Sequence, residues 1–206
     1  MAELVKSFVT LDKSSGSGNG TVTATANSSN TGRNARSVTA TFSAANCADV
    51  PVTINQAGKP EFVTFDNESA AVGKTGGSAT ITGKSNSSKL TFSLGTGGTL
   101  TVSLPSKYSA NSVDTSNGTA ITGDPGATSQ YDFSITISGI AANGTISAKS
   151  KQLIVTANGN QTATININQA AGDPTLSVSP TSVTIPWDAS ETKSVSVTSN
   201  TSWAVA

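Results

Sequence analysis

Apolar and polar positions alternate along most of this chain. The alternation is clear in residues 21–26 (TVTATA), 134–137 (SITI) and 194–198 (SVSVT). A period of two built on Val, Ile and Thr predicts half-buried β-strands. No window shows the 3.6-residue period of an amphipathic helix. We therefore predict an all-β protein whose strands are separated by Ser-, Asn- and Gly-rich turns.

The same pattern locates the strands. They are predicted at residues 8–11, 21–26, 36–43, 50–55, 62–65, 78–82, 89–94, 99–104, 131–138, 145–156, 162–168, 175–178, 182–185, 192–198 and 202–205. Residues 106–129 form a long polar stretch that contains the turn signal Asp-Pro-Gly, and we predict a loop there.

An internal repeat divides the chain. The segment INQAG at residues 54–58 recurs as INQAAG at residues 167–172, about 113 positions later, and a proline follows each copy. Such a period indicates a tandem repeat of one sandwich-sized unit. Residues 59–171 then form one complete unit with the long loop 106–129. Residues 1–58 read as the back half of a second unit, and residues 172–206 as a front half.

Neither half is long enough to enclose a sandwich core alone. We therefore expect two immunoglobulin-like β-sandwiches, the outer one assembled from the N- and C-terminal segments, with Phe8, Leu11 and Trp203 in its core. The halves could join in cis within one chain, which has the higher effective concentration, or in trans with a neighbouring subunit. A third alternative is that the sequence was cut within a unit.

Composition argues against several partners and reactions. Only 12% of residues are charged and the net charge is zero, so no basic face for nucleic acid or an anionic membrane is expected. The chain has no histidine and a single cysteine, which excludes Ser-His-Asp and Cys-His catalysis and His- or Cys-rich metal sites. We predict that the protein binds no cofactor or metal.

Carboxylate pairs are the remaining route to catalysis. The candidates are Asp66 with Glu68, at a strand end, and Asp114, Asp124 and Asp132, in or beside the long loop. A glycosidase needs two carboxylates across one cleft. Scattered loop acids are far more often solvated or turn-forming, so we predict that the protein is not an enzyme.

Two aromatic residues are candidate contact residues. Trp187 lies in Pro-Trp-Asp between two predicted strands, and Tyr108 lies in the long loop. An exposed aromatic in a turn commonly contacts a partner. Trp187 is predicted to contact protein or glycan, or to pack on the neighbouring sandwich, and Tyr108 is a weaker candidate. Arg33 and Arg36 flank a turn and are predicted to be solvated.

The two end segments resemble the halves of one known module, the BACON domain. The resemblance to the front half of the module rests on residues 176–183, 193–198 and 199–203 (SNTSW). The resemblance to its back half rests on residues 8–23, 30–32 and 54–58. The middle unit resembles it more loosely, with Lys89-Leu90 where the family has a tryptophan. These are fold-level motifs of turns and core strands, so they indicate a module rather than an activity.

The resemblance implies an immunoglobulin-like protein of the kind found in Bacteroidetes and in their crAss-like phages. It implies a structural virion protein, a capsid-decorating or head/tail accessory subunit, with weak adhesion to glycans. Its partners would be other virion proteins, copies of itself and surface glycans. Residues 1–7 lack a signal-peptide pattern, which fits virion assembly in the host cytoplasm. The alternative is a carbohydrate- or mucin-binding module of a bacterial surface protein.

Overall fold

The chain is built of β-strands, as the alternating pattern predicts. The computed structural model describes residues 2–206, and within them the one helical element is a single 3-10 turn at Pro125–Ala127. The strands form five sheets, which fall into an N-terminal group, a middle group and a C-terminal group.

The N-terminal group has two small antiparallel sheets. One contains β1 (Leu4–Lys6), β2 (Val9–Leu11) and β3 (Ala24–Ala26), and the other pairs β4 (Arg36–Phe42) with β5 (Val50–Gln56). Between them lies a small core of Phe8, Val9, Leu11 and Ala40.

The middle group contains nine strands in two sheets. These strands are β6 (Val63–Phe65), β7 (Ser69–Val72), β8 (Gly77–Ser85), β9 (Leu90–Leu94), β10 (Lys107–Ala110), β11 (Val113–Ser116), β12 (Tyr131–Ile140), β13 (Lys149–Ala157) and β14 (Thr162–Gln169). One sheet has the order β11-β10-β12-β8-β6 and the other β7-β14-β13-β9. Every neighbouring pair is antiparallel except β7 and β14, which run parallel.

The two middle sheets face each other across one apolar core. Alternate residues of each strand point inward, as in β12, where Phe133, Ile135 and Ile137 are buried while their neighbours face outward. Phe133 packs edge to face on Phe92 of the opposite sheet, with 5.7 Å between ring centroids. This two-sheet packing is consistent with a β-sandwich.

The C-terminal group is a single two-stranded ladder. β15 (Leu176–Ser179) pairs antiparallel with β16 (Ser196–Ser199), and neither strand joins another sheet. The strands predicted at 182–185 and 202–205 have no ladder partner in the described part of the chain.

The long loop is the main error in the strand prediction. Residues 107–116 form the β10–β11 hairpin, whose turn residues Asn111 and Ser112 have φ of 49° and 64°. Lys and Ser at alternate positions conceal this hairpin in the sequence, but Tyr108 and Ala110 point inward and are buried. Residues 99–104, predicted as a strand, form no ladder.

Burial of Tyr108 is open to a stability test. Replacing a buried aromatic with alanine leaves a cavity, so Tyr108→Ala should lower the free energy of unfolding by about 3–5 kcal/mol. Tyr108→Phe removes only the hydroxyl that accepts from the Leu90 amide and should cost about 1 kcal/mol. The exposed Val113→Ala is the control. Chemical denaturation measures all three, and a Tyr108→Ala protein as stable as the control would contradict this assignment.

Candidate assembly interface

Asn86 is a buried side chain that ties the start of the middle unit together. It follows β8, and its Oδ1 accepts a hydrogen bond from the Phe62 amide at 3.0 Å. Its Nδ2 donates to the carbonyls of Lys59 and Pro60, at 3.1 and 3.2 Å. A buried amide with these partners fixes the path by which the chain enters the unit.

Asn200 repeats two of these bonds 114 residues later, the one to an amide and one of the two to a carbonyl. Its Oδ1 accepts from the Thr175 amide at 2.8 Å, and its Nδ2 donates to the carbonyl of Asp173 at 2.8 Å. It also donates to the carbonyl of Gly144 at 3.0 Å, a residue of the preceding unit. The entry to the C-terminal segment therefore copies the entry to the middle unit.

A second pair of asparagines holds the end of each preceding unit. Asn30 Nδ2 donates to the carbonyl of Ala57 at 3.1 Å, and Asn143 Nδ2 donates to the carbonyl of Ala170 at 3.0 Å. Each asparagine thus clamps a turn onto the last strand of its own unit, and the two clamps lie 113 residues apart.

One backbone bond then connects the clamped turn to the linker. The amide of Lys59 donates to the carbonyl of Gly32 at 2.8 Å, and the amide of Gly172 donates to the carbonyl of Thr145 at 2.7 Å. The donor and the acceptor of the second bond each lie 113 positions after those of the first. The connections between consecutive units are therefore two copies of one hydrogen-bonded junction.

The first junction also contains an ion pair. Arg33 donates to both oxygens of Asp124, at 3.0 and 2.6 Å, and to the Asn86 carbonyl at 2.8 Å, while its Nε lies 3.4 Å from Glu61. The hydrogen bond to Asp124 raises the pKa of the guanidinium above its usual value. The expectation that Arg33 is solvated is therefore wrong. It joins the N-terminal segment to the middle unit.

Backbones approach closely at this junction. The amide of Arg33 donates to the Gly126 carbonyl at 2.9 Å. A Cβ on Gly126 would lie 1.9 Å from the Asn86 oxygen, and one on Gly32 would lie 2.2 Å from the Thr128 carbonyl carbon. Only glycine fits at both positions, which is the mark of tight packing between two segments.

The residues that were predicted as contact or core residues differ in their burial. Phe8 and Leu11 are buried in the N-terminal core. Trp187 is 98% exposed in a turn, and Trp203 is 53% exposed beyond β16. Tyr108 is not a contact residue, because its ring lies in the middle core and its oxygen faces the Leu90 amide. The core position predicted for Trp203 concerns a completed outer unit and stays a prediction.

Of the carboxylates named from the sequence, Asp66 and Asp132 line one surface cleft together with Lys84, and Glu68, Asp114 and Asp124 do not line it. Asp124 is paired with Arg33, and Asp132 lies 2.6 Å from the Lys84 amine on an exposed sheet face. Within residues 2–206 no three His, Cys, Asp or Glu side chains are grouped as a metal site would need. In the same range no helix has the length and hydropathy of a membrane span.

The junction asparagines were not identified from the sequence. Asn86 lies in the run Ser-Asn-Ser-Ser, which has the composition of a solvated turn. The signal that would find it is the repeat itself, because Asn86 matches Asn200 and Asn30 matches Asn143 once the units are aligned at 113–114 residues. A scan against protein-family models and a search of curated proteins both found no match for this chain.

Loss of the Asn86 amide should destabilise the junction. Asn86→Ala leaves the Phe62 amide and two carbonyls without their partner, so we expect a loss of about 1–3 kcal/mol in the free energy of unfolding. Asn67→Ala removes an exposed asparagine of the same unit and should change stability by less than about 0.5 kcal/mol. Equal unfolding midpoints for the two variants would refute the structural role of Asn86.

Proposed function

We propose that this protein is a non-enzymatic structural subunit of a phage particle, a capsid-decorating or head/tail accessory protein built of immunoglobulin-like sandwiches. The observation that carries the proposal is the repeated junction. The same asparagine amides and the same backbone bond join consecutive units at 113–114 residue spacing. Units joined by a fixed hydrogen-bonded geometry act as a semi-rigid spacer or scaffold.

Strand order supports the immunoglobulin-like assignment. In the middle unit β6 lies at the edge of one sheet, with β8 beside it and β12 beyond β8. The next strand in the chain, β7, lies in the facing sheet. There β7 runs parallel to β14, the last strand of the unit. A first strand divided between both sheets and a parallel pairing with the last strand fit an immunoglobulin-like sandwich, and the BACON resemblance of the end segments points the same way.

Surface chemistry also favours a structural role. The chain has equal numbers of acidic and basic residues, and its exposed strand faces carry mostly Ser, Thr and Asn. Such a surface suits tight stacking of units without strong attraction to nucleic acid. At the first junction the Arg33 guanidinium is paired with two carboxylates, those of Glu61 and Asp124.

Mass spectrometry of purified particles tests the proposal. Peptides of this chain should be present in particles of the phage that encodes it, at a fixed ratio to the major capsid protein, and should persist through density-gradient purification. Antibody labelling of the particle surface would then locate the subunit. Consistent absence of the chain from purified particles would reject the virion assignment.

Trp187 favours a second candidate, a glycan-binding module. It projects from the Pro186–Asp188 turn with almost its whole surface in solvent. An indole in that position presents a flat apolar face that a sugar ring or a protein surface could cover. The virion proposal includes such weak adhesion, whereas a dedicated binding module would make it the main activity.

Substitution of Trp187 separates contact from stability. Because the side chain is solvent-exposed, Trp187→Ala should change the free energy of unfolding by less than about 0.5 kcal/mol. Binding to glycans on an array, or incorporation into particles, should decrease for Trp187→Ala and be retained by Trp187→Phe, which keeps an aromatic face. A large loss of stability in Trp187→Ala would show that the indole packs within the protein instead.

A further inference from the structure

We propose that residues 122–130 of the middle unit form a strap whose conformation depends on the docked N-terminal segment. The strap and the turn at residues 31–34 open and close together, as one two-state element. The inference goes beyond the proposed virion role, because it concerns how the first junction moves. It does not depend on whether the chain belongs to a phage particle.

Asp124, in the strap, has a strained backbone. Its φ of 38° and ψ of 66° place it in the left-handed region, which residues with a Cβ disfavour. The next residue is Pro125, and a residue before proline favours an extended backbone. Among the non-glycine residues with positive φ in the described part of the chain, Asp124 alone precedes a proline. A conformation of this kind persists only where its surroundings hold it.

The Asp124 carboxylate bonds across the junction and not within the strap. It precedes the 3-10 turn Pro125–Ala127, a position from which aspartate commonly caps a helical turn, but it makes no such hydrogen bond. Both of its oxygens instead accept from Arg33, at 3.0 and 2.6 Å. Charge-assisted bonds in this bidentate geometry are among the stronger polar contacts in proteins, and they offset the strain at Asp124.

The other bonds that leave the strap also lead to the N-terminal segment. They join the carbonyl of Gly126 to the Arg33 amide at 2.9 Å, the carbonyl of Ala127 to the Asn34 amide at 2.8 Å, and the amide of Gln130 to Thr31 Oγ1 at 3.2 Å. Across residues 2–206, every remaining hydrogen bond of the strap stays within residues 121–130. Without the turn at residues 31–34, the strap therefore keeps only local hydrogen bonds.

Apolar packing holds the ends of the strap but not its middle. Ile121 and Tyr131, which flank it, are buried in the core of the middle unit. Between them the one buried residue is Gly126, whose backbone lies against the Asn86 carbonyl. Gly123, with φ of 74°, allows the chain to bend near the start of the strap. A segment anchored at its ends and held in its middle by another segment opens when that segment leaves.

The ion pair distinguishes the first junction from the second. The residue at the position of Arg33 in the second junction is Ile146, 113 positions later. An aliphatic side chain cannot pair with a carboxylate. Breaking the Arg33 pair therefore acts on the first junction alone, and the second junction reports on the rest of the molecule.

Amide hydrogen exchange of the full chain, followed by NMR, tests the coupling. Arg33→Ala removes the bidentate contact with Asp124. Exchange at the Ala127 and Gln130 amides should become at least about tenfold faster, because both amides lose their acceptors when the strap opens. The Asn34 amide, on the other side of the junction, should accelerate by a similar factor, because the two segments open together.

Lys84→Ala is the matched control, because it removes one cation from an exposed ion pair of the same unit. It should leave exchange in the strap within about twofold of that in the unmodified chain. The Gly172 amide and the amides of the β8–β12 ladder should stay protected in both variants, and this protection establishes that the chains are folded. If Arg33→Ala loses it, Arg33→Lys, which keeps the charge without the bidentate geometry, takes its place.

Two results would overturn the proposal. One is a strap that is as well protected in the Arg33 variant as in Lys84→Ala. The other is faster exchange at Asn34 with no change in the strap, since the strap would then keep its conformation without the turn at residues 31–34.

The strain at Asp124 allows a second test by the same measurement. Asp124→Gly relieves the left-handed strain and removes the carboxylate. With Arg33 present, loss of the ion pair should make exchange in the strap faster. In the Arg33→Ala chain there is no pair to lose, so the same substitution should make exchange severalfold slower. Acceleration in both backgrounds would overturn the role assigned to the strain.

Discussion

A β-sandwich core stays dry only when both of its sheets are present, and this constraint governs the whole molecule. The middle unit satisfies it, with two sheets that bury Phe133, Ile137 and Leu153 between them. The end segments carry the same alternating strands, but several of their apolar residues are exposed, among them Phe42, Ile185 and Val195. Exposed strand edges of this kind are aggregation-prone unless another strand covers them.

The junction asparagines set the path of the chain from one unit to the next. Asn86 and Asn200 fix how the chain enters a unit, and Asn30 and Asn143 fix how the preceding unit ends. Because these side chains bond to backbone carbonyls, they constrain the path of the chain whatever the neighbouring side chains are. Consecutive units are therefore joined in one orientation.

Much of the fold could be predicted from the sequence, because alternating Val, Ile and Thr residues report burial directly. The strands at 131–140 and 162–169 are long and regular, and both were predicted nearly to their ends. The β10–β11 hairpin was missed because Tyr108 and Ala110 are its main inward residues. A short strand with so few apolar positions resembles a polar loop.

The junction was harder to predict than the strands, since its chemistry is tertiary. Arg33 looks like a solvated turn residue until the fold brings Asp124, 91 positions away, within 2.6 Å of it. Asn86 looks like a turn residue until its carbonyl partners are seen. The exposed Trp187 was recognisable as unusual from the sequence, but the sequence does not show what covers it.

Hydrogen exchange at the two junctions tests the central claim most directly. Because the amides of Lys59 and Gly172 donate the same backbone bond in the two copies of the junction, the account predicts that both exchange far more slowly than amides of the exposed turns. Exchange of both amides as fast as in those turns would contradict it.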